Sequence, residues 1–197
     1  MVPTNLTSKK SKAFLYLQQQ IETMTPKTKI FAGLILLAFV SRIVPHYPNF
    51  TAMGALAFYG AFSMKRLAVT ITAVVATMMA SDLIINNLIY PSDTFVFMYV
   101  GSIYTYIGFA AYSLIGHFSK SNAKAGLGLV AGSLVFFAIS NLGVWASTTA
   151  LYPDNAAGLL ATYIAAIPFY APELLSTALF SAVAYGALSW ITKAVKA

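Results

Sequence analysis

Cysteine is absent from all 197 residues, which excludes disulfides and thiolate metal sites and leaves the redox compartment unread. Histidine occurs only at positions 46 and 117, too far apart in the expected topology to share an ion, so neither a metal nor another cofactor is expected. Charge is scarce too: 9% of residues are Asp, Glu, Lys or Arg, where a soluble domain carries about 25%. No Ser-His-Asp or HExxH arrangement and no ATP-binding loop occurs, so an enzyme is not expected. The net charge of +7 sits in short clusters between apolar runs rather than along a polar face, which argues against nucleic acid as a partner.

What remains is apolar. With 59% hydrophobic residues and about 20 needed per spanning helix, the chain has room for about five to seven spans. The pattern predicts an all-α, polytopic membrane helix bundle of about six transmembrane helices, integral to the plasma (inner) membrane, with membrane lipid as its surroundings. Residues 1–28 read as a polar cytoplasmic tail, in which 13–17 is a brief apolar patch, and 29–197 as a single transmembrane domain. Expected spans are 29–44, a short second one ending at Met64, 67–90, 94–118, 125–148 and 173–192. Pro168 and Pro172 divide the last stretch into an outer segment and a final span, because proline removes a backbone donor and clashes within a helix. Six spans with both termini cytoplasmic put every lysine cluster inside and leave only Arg42 outside, in accord with the positive-inside rule.

Three outer turns share a pattern, His-Tyr-Pro-Asn at 46–49, Tyr-Pro-Ser-Asp at 90–93 and Tyr-Pro-Asp-Asn at 152–155. Interfacial tyrosine, helix-ending proline and a capping Asn or Asp account for it.

The polar groups left within the spans are the functional candidates. Asp82 falls about 22 Å from the cytosolic end of its span, with Asn86 one turn further on the same face. Asn141 and Trp145 are likewise four apart at similar depth, Glu173 opens the last span from outside, and Arg42 closes the first beside His46 and Asn49. A charge within the bilayer costs at least about 2.5–3.5 kcal/mol, so these groups face protein or water. Pairing of Arg42 with Asp82 or Glu173 would serve simply to lock helices. The added amides and indole suit an outward-facing pocket for a small molecule, walled by Arg42, His46 and Asn49 and covered by residues 156–170. The other reading is a structural or assembly protein whose polar layer only holds the helices.

Arg42, Pro45, His46, Pro48, Asn49 and Phe50, followed by Gly54 to Ala57, Ser81 to Leu83, Phe136, Phe137, Asn141, Gly143 to Trp145, Tyr152, Pro153, Gly158, Leu159, Tyr163 and Ala166 to Phe169, form a pattern over about residues 40–170. In it the chain resembles a family of small, largely uncharacterised bacterial multi-pass membrane proteins. In general plan it is also similar to the substrate-binding S subunits of energy-coupling-factor vitamin transporters. That likeness implies an uptake component for a vitamin-like or other organic molecule, working with a membrane energising module or another membrane protein.

Overall fold

The computed structural model describes residues 14–15, 18–19, 22–147 and 151–194, and within these the chain is all-helical, with no strand. Of the apolar patch at 13–17 only Phe14 and Leu15 are described, both helical and exposed. The first helix, α1, runs Pro26–Ile43, with proline in its first turn and the Thr25 hydroxyl accepting from Thr28 N–H. Then come α2 (Met53–Met64), α3 (Leu67–Ile84) continued by a π turn (Ile85–Ile89), α4 (Ser102–Phe118), α5 (Asn122–Ser147) and α6 (Ala156–Ala194). The stretch from Leu67 through the π turn, α5 and α6 are each long and apolar enough to cross a membrane, and α2 is a shorter apolar helix. The chain is a membrane helix bundle. Leu127, Leu134, Ile164, Ile167 and Leu175 stand exposed on α5 and α6, as a surface facing lipid requires.

The centre of the bundle is α2. Residues 52–61 are all buried, which is possible because small side chains let neighbours close in: a Cβ on Gly116 of α4 would fall 2.2 Å from the Phe58 carbonyl oxygen, and one on Gly54 would fall 1.8 Å from Thr177 Oγ1 of α6. At about 1.5 Å per residue α2 covers only about 18 Å, so it is half a span whose first turn lies deep in the bundle.

Two helices depart from the expected boundaries. The fourth begins at Ser102 rather than 94, because the preceding residues are held as a loop. Asn87 bonds Val96 through both its amide groups, at 2.8 and 2.9 Å, and Gly101 takes φ 85° to start α4. The last helix is not divided at all. Pro168 and Pro172 both lie inside the continuous α6, 39 residues and about 58 Å long. In an apolar medium a broken helix would expose more unpaired backbone than two prolines do, and α5 braces α6 along its length. Tyr163 donates to Ala138 O at 2.6 Å, and Asn122 to Tyr185 at 3.1 Å. Residues 156–170 are thus the first part of a packed helix, not a separate cover. Asn155 caps that helix by accepting from Gly158 N–H at 2.9 Å.

The cations gather at one end. Lys65, closing α2, donates to the carbonyls of His117 and Ser119 at the end of α4, at 3.0 and 2.6 Å. Burial and the charge of Lys27 lower its pKa.

Candidate functional site

At the end of the bundle opposite these lysines, α1, the π turn, α4, α5 and α6 enclose a cavity of about 600 Å³. Arg42, His46, Asn49, Asn141 and Glu173 line it, whereas Asp82, Asn86 and Trp145 do not.

Each placement has a local cause. Arg42, in the last turn of α1, turns onto α3, where Nε donates to Ser81 Oγ at 2.7 Å and Nη2 binds Asp82 Oδ1. Tyr106 donates to the other Asp82 oxygen at 2.7 Å, so this carboxylate is fully engaged behind the wall and 2% exposed. Asn86 was expected on the Asp82 face, but the π turn adds a residue per turn and breaks the four-residue spacing. Its Nδ2 is buried without a partner, while Asn87, which the sequence reading passed over, ties the outer loop. On α5 the lining comes from Phe136, Phe137, Ser140, Asn141 and Val144. Trp145 lies beyond that stripe and donates instead to Pro153 O at 3.1 Å, fastening the turn before α6. His46 and Asn49 are at the mouth, His46 Nδ1 with Val44 O at 2.8 Å and Asn49 in a left-handed turn with φ 62°.

Glu173 is the largest correction. It does not open a helix at the surface but sits about five turns into α6, because the helix continues through both prolines. Its Oε2 accepts from Ser133 Oγ, in the middle of α5, and its Oε1 accepts from Thr177 at 3.0 Å. The same Oε1 is 3.0 Å from where a Cβ of Gly54 would stand, so the carboxylate lies against the first turn of α2. The polar groups therefore occupy two levels rather than one layer. Gly132 packs on Tyr112 and Gly143 on Tyr104, which sets Asn141 and the Arg42–Asp82 pair near Tyr106, and Glu173 about 9 Å deeper.

Between the levels the walls are aromatic. Phe109 and Phe136 are 4.3 Å apart at their ring centroids, and Phe137 meets Tyr170 at 5.4 Å. Tyr99 of the outer loop donates to Thr105 at 3.2 Å. The aromatic run in the fifth helix was the available signal for this lining, although it read equally well as core. Asn141 Nδ2 donates back to Phe137 O at 2.8 Å, which leaves its amide oxygen without a partner among the described residues. Among the described residues no cluster of three or more His, Asp or Glu could hold a metal ion. The arrangement suits recognition of an organic molecule: apolar faces, hydroxyl and amide groups, and charge at two depths.

Fold and cavity define an all-helical membrane protein with a polar, aromatic-lined chamber at one end. A family of unknown function (DUF6580) matches over residues 22–197, and the chain belongs to it. No curated protein and no solved structure matches the chain.

Proposed function

We propose that this protein binds a small organic molecule in the cavity between α1 and α6 and serves as an uptake component that captures it from outside an inner membrane. The carrying observation is the chamber itself. A volume of about 600 Å³ suits a vitamin-sized ligand, and its walls combine aromatic rings, among them Phe109, Phe136, Phe137, Phe169 and Tyr170, with the few convergent polar groups that a selective site uses. Direction follows from charge: the lysine-rich end is cytoplasmic by the positive-inside rule, so the mouth near His46 faces out. Transfer across the membrane would use an energising partner or a reorientation of the bundle, with α6 at Pro168 and Pro172 as the place to bend.

The second reading, a helix-locking polar layer in an assembly protein, is favoured by one observation, the closed set Arg42, Ser81, Asp82 and Tyr106. It accounts for that set but not for the chamber. Native mass spectrometry of gently purified protein, after incubation with a mixture of vitamins and metabolites, separates the two. The expected result is a retained small molecule that is lost from Asn141→Ala protein of unchanged fold. A bare protein mass under every mixture, together with a stable complex with another membrane protein, would favour the assembly role.

A further inference from the structure

Two carboxylates are buried in the bundle, Asp82 behind the chamber wall and Glu173 lining it, and only one is paired with a cation. Asp82 is matched by Arg42, and its second oxygen is taken by Tyr106. Glu173 is 6% exposed and lines the cavity, yet the one ion pair among the described residues is Arg42–Asp82. Its hydrogen-bond partners are two hydroxyls, Ser133 and Thr177, and its Oε1 packs against Gly54 in the first turn of α2. These neutral groups occupy both oxygens without cancelling a negative charge on them. Arg42 and Asp82 cancel each other, so an ionised Glu173 gives the floor of the chamber one net negative charge. An uncompensated charge at that depth is costly and marks a site for a counter-ion. The walls just above it are the faces and edges of Phe109, Phe136, Phe137 and Tyr170, and aromatic faces attract cations. An anion would find Arg42 Nε and Nη2 already committed to Ser81 and Asp82, and the guanidinium charge matched by that carboxylate.

We infer that the chamber takes a monovalent organic cation with an aromatic or apolar body, its positive end against Glu173 and its body between the rings of α4, α5 and α6. The assignment rests on the ligand-binding reading above and names the chemical class of that ligand.

Three probes of matched shape test it on the purified full chain: benzyltrimethylammonium, benzyl alcohol and phenylacetate, with affinity measured by calorimetry. The cation is expected to bind at least about tenfold more tightly than the other two. In Glu173→Gln, which keeps hydrogen-bonding capacity toward Ser133 and Thr177, that preference disappears while the circular dichroism spectrum is unchanged. In Ser176→Ala, which removes a neighbouring buried hydroxyl bonded to the Glu173 backbone carbonyl and leaves the carboxylate and its partners in place, it persists. Tighter binding of phenylacetate, or equal binding of the cation to wild type and Glu173→Gln, overturns the cation assignment and leaves the pocket reading standing. Failure of all three probes to bind also overturns the assignment. The fate of the pocket reading is then decided separately, by whether any molecule is retained in an Asn141-dependent way.

Discussion

Asp82 and Glu173 are both acids buried inside a membrane protein, and they are buried in opposite ways. Asp82 sits behind the cavity wall, bonded on one oxygen by a guanidinium and on the other by a phenol. Glu173 faces the cavity and is bonded only by neutral groups. The first arrangement is complete in itself and ties α1, α3 and α4 together. The second satisfies both oxygens but supplies no cation of its own, and on the inference above a bound cation completes it. A buried charge is therefore informative less by its presence than by whether the protein supplies its partner.

The largest effect should come from opening the complete arrangement. Asp82→Ala strands the Arg42 guanidinium and should cost about 3–5 kcal/mol, seen as a large drop in unfolding temperature in detergent. Replacing both partners, Arg42→Met with Asp82→Leu, should restore most of the loss, because a well-packed apolar pair avoids the desolvation of two ions. A double variant as unstable as the single one would mean that Asp82 matters for something other than Arg42.

A smaller effect should sharpen the same contrast between satisfied and unsatisfied polar groups on one turn. Asn87→Ala removes the bonds that hold the loop at Val96 and should cost about 1–3 kcal/mol, with faster proteolysis of residues 90–101. Asn86→Ala removes a buried amide nitrogen that has no partner and should leave stability unchanged or slightly raised. Equal losses from the two substitutions would contradict the register set by the π turn.

The bundle was legible in the sequence, because clusters of lysines separate apolar runs of helical length. So was the candidacy of Arg42, which is the only cation outside those clusters, and of Asp82, an acid deep in an apolar run. What misled was backbone geometry. Proline usually ends a helix, so Glu173 reads as the outer start of the last span, level with Asp82 and Asn141, but lipid and the bracing of α5 keep α6 continuous and carry the acid to the floor of the chamber. A single π turn likewise moved Asn86 off the Asp82 face and brought Asn87 to the loop. Trp145 has the right spacing from Asn141, but the α5 lining stops at Val144 and the indole caps the next turn. Hydrophobic periodicity carries none of these three shifts, since each depends on which hydrogen bonds the tertiary surroundings replace.

The most direct test of a negatively charged chamber open to the outside uses the absence of cysteine. A single Ser140→Cys places one thiol on the cavity wall, and intact cells can be treated with membrane-impermeant methanethiosulfonates carrying either trimethylammonium or sulfonate. After correction for each reagent's rate with a free thiol, the account predicts modification from outside, faster by the cationic reagent, with the difference abolished by Glu173→Gln. Equal rates, a faster anionic reagent, or a thiol reached only in opened cells would contradict it.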